Sequence, residues 1–316
     1  MTIREKRTVP IYLTERDVAE FLDMPSAIKA LREAFLARRR GEATVVPRTR
    51  WEFGGRRLNV MGGGITPQGR YVLKAYGSSA YHVLLYSAEG LLAVIEADYL
   101  GVIRTGAATA VATEAMARPN GRRVALIGAG RQAHGQALAL KAIDRLEEIA
   151  VFARHRDKLE TFCETIEKEL GRPVRAAASG EEAAFDADIV VTATTSPTPV
   201  LMHGWLKAGV HINAMGANAA SRREIDSQIV RFAGLLVTDD IAQARIEAAE
   251  FIDLASAGQL DWERVRPLHE IIGSSGFVRD AGSITLFKSL GIGLEDVAVA
   301  SAIYDRALAT GRFKPL

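Results

Sequence analysis

The sequence predicts an α/β protein, in which a Rossmann doubly wound parallel sheet is joined to an α+β substrate-binding and dimerisation domain. Three observations carry this reading. From about residue 122 to 240, short continuous apolar runs alternate with helical patterns, as in a parallel sheet buried on both faces. Gly128-Ala129-Gly130-Arg131-Gln132-Ala133 directly follows the first of these runs and opens a helical stretch. The first 116 or so residues read instead as two helices followed by short alternating strands.

The elements follow in order. The opening "MTIREKRTVPIYLTERD" is charged and has no apolar core, so no signal peptide is expected. In "IYLTERDVAEFLDMPSAIKALREAFLARRRGEA", Thr14 with Asp17 three residues on is a variant capping box, and Pro25-Ser26 precedes a second helix. Short alternating strands at "RTRWEFGGRRLNVMGGG", "RYVLKAYGSS", "YHVLLYSAEG" and "LLAVIEA" predict an antiparallel sheet, with a turn at Ala88-Glu89-Gly90. "ADYLGVIRTGAATAVAT" then predicts a close-packed helix capped by Asp98. Arg104 sits inside it and needs an anion to justify desolvation. Asp98 is off its face, which leaves a carboxylate from another segment or a ligand.

"ARPNGRR" is the junction to the parallel domain, whose strands are read at "RRVALIG", "EIAVFARH", "VRAAAS", "ADIVVTATT", "VHINAMGA" and "FAGLLVTDD". The stretch from Asp261 ends in a helix from about Leu294 to Thr310, whose apolar face suits packing on the first module. The chain is therefore expected to cross over and return, with domains at 1–118 plus 290–316 and at 119–289.

Composition excludes several classes. The net charge is +2 with the signs interspersed, and no basic stripe carries aromatics, so no nucleic-acid partner is expected. No apolar stretch spans a bilayer. The single cysteine, Cys163, lies in the amphipathic "DKLETFCETIEKEL" and reads as a packing residue in a reducing, cytoplasmic protein. No metal site is expected.

The glycine turn is a dinucleotide signal because of its setting between strand and helix. Gly128 permits the turn, Gly130 lets the backbone approach a pyrophosphate, and Ala133 lets helix and strand pack closely. The phosphates would sit at the helix start, near Arg131 and Gln132. After the second strand an acid would hold a ribose hydroxyl, but the sequence reads "FARHRDK". Arg154 there suits a 2′-phosphate, so NADP(H) is preferred and NAD(H) remains possible.

"RTGAATAVAT", "ALIGAGRQA", "INAMGA" with "SRREID", and "LFKSLGIGLEDVAVA" together resemble the ornithine cyclodeaminase/mu-crystallin family, in order and along almost the whole chain. The resemblance implies hydride exchange between a nicotinamide and the α-carbon of a small amino or imino acid, in a homodimer. It carries the grip on the substrate carboxylate onto Arg48, Lys74 and Arg104, and proton transfer onto Asp226, with Lys74 as the rival acid. For Asp226 a helix N-cap is the competing reading. Contacts implied on the cofactor side are Ala193, Thr194 or Thr195, Ala214, Gly216, Ser289 and Leu290, with Thr105 beside Arg104 holding a phosphate or carboxylate oxygen.

Two departures stand out. Many members have Met-Pro where this chain has Met61-Gly62-Gly63-Gly64. The position of an acid for ornithine's distal ammonium reads Asn59, with Glu52 the nearby acid, well before it. Tyr81 and His82 are read as exposed strand residues. The expected activity is reduction of a small α-imino acid (a cyclic ketimine carboxylate or iminosuccinate) or the reverse dehydrogenation. The alternatives are ornithine cyclodeamination with bound NAD, a non-catalytic NADPH-binding crystallin-like protein, and a Rossmann dehydrogenase of another family.

Overall fold

A computed structural model describes residues 9–274 and 280–316; residues 1–8, the start of the charged amino-terminal stretch, lie outside them. The chain divides into two units, Met1–Arg104 with Ile292–Leu316, and Thr105–Gly291. The first boundary therefore falls inside a helix, not at residue 118. The end of that helix belongs with the parallel sheet: Asn213 Nδ2 donates to Thr113 Oγ1 (3.1 Å) and Thr285 Oγ1 to the Met116 carbonyl (3.3 Å).

The first unit begins with β1 (Ile11–Leu13), α1 (Glu15–Phe21) and α2 (Met24–Arg39). Then come β2 (Ala43–Phe53), β3 (Arg56–Ile65), β4 (Arg70–Tyr76), β5 (Tyr81–Ser87) and β6 (Gly90–Glu96), before α3 (Asp98–Met116). In the second unit β7 (Arg123–Ile127), α4 (Arg131–Ala142), β8 (Glu148–Phe152), α5 (Arg156–Leu170), β9 (Val174–Ala176) and α6 (Gly180–Ala184) form the first half. Next are β10 (Ile189–Thr192), β11 (His211–Ala214), α7 (Ser227–Phe232), β12 (Leu235–Thr238), α8 (Ile241–Glu247) and α9 (Ala249–Ser256). After β13 (Val265–Pro267), α10 (Leu268–Ile271) and β14 (Thr285–Lys288), the chain re-enters the first unit as α11 (Gly293–Thr310) and β15 (Lys314–Pro315).

The capping box of α1 forms as expected: Thr14 Oγ1 accepts from the Asp17 amide, and Asp17 Oδ2 accepts from the Thr14 amide. Asp98 is the first residue of α3. The Asp98 and Tyr99 amides donate to the Glu15 carboxylate at 2.6 and 2.9 Å, so α1 supplies the capping acid. The first sheet has the order β15-β1-β6-β5-β4-β3-β2. It is antiparallel from β2 to β6, but β1 joins β6 in parallel, which corrects the expectation of a purely antiparallel sheet. Strands as short as β1 and β15 carry too little pattern to be read locally.

Helix α11 packs on β3, β4 and β5 of this sheet. Along β4, Val72 and Lys74 are buried while Tyr71 and Leu73 are exposed. Arg70 Nη1 donates to Asp305 Oδ2 (2.8 Å) and Lys74 Nζ to Asp296 Oδ1 (2.8 Å). Residues 70 to 74 of a strand and 296 to 305 of a helix each span about 13 Å. The two ion pairs thus match, with the helix antiparallel to the strand. The glycine run explains the close approach: a Cβ on Gly63 would overlap the Gly293 backbone, and one on Gly293 would overlap the Gly62 carbonyl. The opposite face of the sheet exposes Val46, Trp51, Tyr71 and Leu73 around a groove of about 720 Å³.

The second sheet is parallel throughout, in the order β13-β12-β14-β11-β10-β7-β8-β9. Strand β14 arrives last and inserts between β11 and β12, a strand the local pattern of "SITLFKSLG" did not reveal. Apolar clusters fill both faces; one includes Ile212, Leu236 and Phe251, the other Leu126, Leu140 and Cys163. Burial pushes the Cys163 thiol above its ordinary range, in keeping with a packing residue. No helix among the described residues is long and apolar enough to cross a membrane.

Replacing Gly63 by Ala should force the start of α11 off β3. Overpacking of this kind costs about 1–3 kcal/mol, so the thermal midpoint measured by calorimetry should fall. An unchanged midpoint would show that the approach of the two backbones is not required.

Candidate active site

In the first unit, three cations predicted from the sequence come together. Strand β2 carries a bulge between Val46 and Thr49, where one extra residue enters the pairing with β3. A bulge re-aims a side chain, and Arg48, beside the donor-less Pro47, is buried. Lys74 lies on the covered face of β4, and Arg104 on the second turn of α3; both are buried. The Tyr76 ring joins them: its centroid is 6.0 Å from Arg48 Cζ and 5.9 Å from Lys74 Nζ. Tyr81 stacks on Tyr76, with ring centroids 5.2 Å apart, and both Tyr81 and His82 are only partly exposed.

The anion sought for Arg104 comes from α11. Arg104 Nη1 donates to Glu295 Oε2 (2.6 Å), its Nε stands 3.4 Å from Asp296 Oδ1, and Asp296 also binds Lys74. Glu295 and Asp296 are fully buried on the first turn of α11, where a helix favours negative charge. Neither was singled out in the sequence, because their partners lie 191 and 222 residues away. Burial works against the charge on Arg104, but Asp296 and Glu295 outweigh it and raise its proton affinity. For Lys74 burial dominates and pushes the ammonium below its ordinary range; Asp296 opposes this, and Arg104 and Arg48 add to it. Three positive charges, on Arg48, Lys74 and Arg104, are thus buried in one region, where Glu295 and Asp296 bring two carboxylates to Lys74 and Arg104.

In the second unit, the predicted dinucleotide residues gather at one edge. Gly128–Ala133 follow β7, Arg154 follows β8, Ala193, Thr194 and Thr195 follow β10, Ala214 ends β11 before Gly216, and Ser289 and Leu290 follow β14. These strands are neighbours in the sheet, and all run the same way. Between β7 and β10 the strand order reverses, the place where open α/β sheets bind ligands. Gly128 has φ +124°, and a Cβ there would overlap the Ala193 carbonyl. Gly130 is the N-cap of α4 with no side-chain cap, and a Cβ on it would meet nothing within 4 Å. The start of α4 thus carries no side-chain cap and leaves room at Gly130, which fits a pyrophosphate. Arg154 is exposed, with no acid at the end of β8. Thr105 is buried on α3.

Asp226 takes the competing role weighed for it. One carboxylate oxygen accepts from the Ile229 amide as the N-cap of α7 (2.9 Å), and the other accepts from the His203 amide (2.9 Å). Both oxygens are thus held by backbone donors, as the competing reading of a helix N-cap expects. The acid that organises the edge is two residues earlier. Buried Glu224 accepts from the Thr194 amide and hydroxyl (2.7 and 2.8 Å) and from the Gly216 and Ala217 amides (2.6 and 3.1 Å). Its own amide donates to Glu250, which is paired with the buried Lys288 (3.2 Å). A Cβ on Gly216 would overlap Thr194, so the loops after β10 and β11 touch around this carboxylate. Asp239 does the same for the loop after β14, accepting from the Leu290 and Gly291 amides at 2.8 and 2.7 Å.

The model of the ornithine cyclodeaminase/mu-crystallin family matches residues 8–311. A Δ1-pyrroline-2-carboxylate reductase of Bacillus cereus is 32% identical over 252 residues, covering 78% of this chain and 76% of that protein. The structure of the Thermococcus litoralis Δ1-pyrroline-2-carboxylate reductase, with NADH and L-proline, superposes with a TM-score of 0.92 at 28% identity, over 97% of this chain and all of the other. An archaeal alanine dehydrogenase dimer with bound NAD gives 0.90 at 30% identity, over 97% and 98% of the two chains.

Replacing Glu224 by Gln sets an amide N–H₂ against two backbone donors and releases one loop. NADH should then bind about tenfold more weakly, the equivalent of one charge-assisted hydrogen bond. ADP-ribose, which lacks the nicotinamide, should bind nearly as before. Equal weakening of both ligands in fluorescence titrations would place Glu224 outside the nicotinamide half.

Proposed function

The chain belongs to the ornithine cyclodeaminase/mu-crystallin family, and we propose that it is an NAD(P)H-dependent reductase of a small α-imino acid, able to run in reverse as an amino-acid dehydrogenase. The supporting observation is the buried group of Arg48, Lys74 and Arg104 opposed by Glu295 and Asp296. Three cations that repel one another favour an anion among them, and an α-carboxylate is such an anion. Δ1-pyrroline-2-carboxylate and iminosuccinate, which both carry one, are the candidate substrates.

Each residue then has a role. The Arg48 and Arg104 guanidinium groups hold the carboxylate and fix the α-carbon. Lys74, with its proton affinity lowered, gives a proton to the imino nitrogen. When bound, the nicotinamide supplies the hydride. Gly128, Gly130, Arg131, Gln132 and Ala133 cradle the pyrophosphate, with Thr105 as a further contact. Ala193, Thr194, Thr195, Ala214, Gly216, Ser289 and Leu290 border the nicotinamide half. Arg154 favours NADP(H), and NAD(H) is accepted. Cyclodeamination is disfavoured: Asn59 donates to the Tyr76 carbonyl, and Glu52 is spent on exposed Arg57 (2.6 Å), so neither offers a carboxylate to a distal ammonium. The apolar outer face of the first sheet is the surface for a homodimer, and the cytoplasm remains the expected compartment.

The test is a panel of imino and amino acids, run with NADH and NADPH at neutral and alkaline pH. Reduction of Δ1-pyrroline-2-carboxylate is expected, and ammonia release from ornithine without net nicotinamide turnover would replace this reading with cyclodeamination. Arg104→Ala should cut turnover at least a hundredfold, the loss of about 3 kcal/mol from a charge pair, with dinucleotide affinity intact. Arg154→Ala should raise KM for NADPH well above any change for NADH; equal changes would remove the basis for the NADP(H) preference.

A further inference from the structure

Asp296 meets two cations through one oxygen: Lys74 Nζ at 2.8 Å and Arg104 Nε at 3.4 Å from Oδ1. Its Oδ2 is buried with no hydrogen-bond partner among the described residues. The groups that face the ammonium are Arg104 and Gly101 of α3, Arg48 of β2, the Tyr76 ring of β4 and Asp296 of α11, with Glu295 bound to Arg104. Gly101 matters here because a Cβ on it would come within 3.7 Å of Lys74 Nζ. Asp296 is thus the negative group in direct contact with an ammonium flanked by two guanidinium groups.

We propose that Asp296 is the positioning residue for proton transfer: it fixes Lys74 Nζ and keeps it protonated until the imino nitrogen takes the proton. This rests on Lys74 being the acid proposed above. The step balances. The N–H bond at Nζ breaks and one forms at the imino nitrogen, while the carbon gains its electron pair and hydrogen as the hydride. Lys74 is left neutral beside Asp296 and regains a proton from water. The Asp296 charge opposes the desolvation and guanidinium repulsion that otherwise strip the proton from Lys74 too early.

The readout is the pH dependence of kcat for reduction of Δ1-pyrroline-2-carboxylate by NADH, which reports groups in the bound complex. An acid is active while protonated, so the rate falls as pH rises through the Lys74 value, below the 10.5 of an ordinary lysine. Asp296→Asn should move that alkaline limb down by about one pH unit or more. Asp296→Glu should restore it towards wild type, and Glu295→Gln should move it less than Asp296→Asn does. If the Asn variant does not fold, Asp296→Ser, with room for water, is read the same way. To test the acid itself, Lys74→Cys in a Cys163→Ala background is alkylated with bromoethylamine, giving a less basic amine. A limb that follows this amine downward identifies Lys74 as the acid, and a limb that stays overturns that assignment. A limb that follows the amine but is unmoved in Asp296→Asn and Asp296→Ser, with only the rate or stability reduced, overturns the role of Asp296 alone.

Discussion

The first unit is organised by the burial of three cations, Arg48, Lys74 and Arg104. Two guanidinium groups and an ammonium repel one another, and desolvation adds to the cost, so they are held together only by carboxylates brought from elsewhere. The carboxylates come from the first turn of α11. That turn reaches the sheet because Gly63 and Gly293 allow a backbone approach that a side chain on either would block. Farther along, the pair between Arg70 and Asp305 holds the same helix to the same strand. The bulge in β2 then buries Arg48 beside the Tyr76 ring. Glycine run, bulge and helix register are three consequences of one electrostatic requirement.

The second unit uses buried carboxylates differently. Glu224 and Asp239 are placed against backbone amides, where an ionised oxygen accepts several donors at once. Each fixes a loop that follows a parallel strand. Glu224 joins the loops after β10 and β11, and Asp239 holds the one after β14. For Asp239 burial favours the protonated form, while the Leu290 and Gly291 amides favour the charged one. Loops held this way present a fixed edge, as hydride transfer between two carbons demands.

What was legible in the sequence was whatever is local. The glycine turn, the capping box of α1, the alternation of β2 to β6 and the continuous apolar strands carry their patterns within a few residues. The resemblance to the family brought Arg48, Lys74 and Arg104 into one group. Their acidic partners escaped, since nothing near Lys74 or Arg104 in the chain signals Asp296 or Glu295. The motif "SRREID" was read at its aspartate, and the buried residue proved to be the glutamate two positions before it. A carboxylate that caps a helix and one that ties two loops look alike in sequence; only the donors around them differ. Strand β14 was missed for a related reason: four residues placed between two earlier strands, β11 and β12, have too little pattern of their own.

The segment from Thr285 to Thr310 shows how far both units depend on what arrives last. It completes the second sheet by inserting between β11 and β12. Lys288 within it pairs with Glu250, which in turn receives the Glu224 amide. Ser289 donates its amide to the Ala214 carbonyl, extending the β11 edge, and Leu290 and Gly291 bind Asp239. Within a few more residues, Glu295 and Asp296 neutralise most of the charge on Lys74 and Arg104. Without this segment Lys74 and Arg104 would lose Asp296 and Glu295, and the second sheet would lack the strand between β11 and β12. The same stretch of chain therefore sets the loop edge after β14 and the charge balance around Lys74, so a change in its docking would alter both.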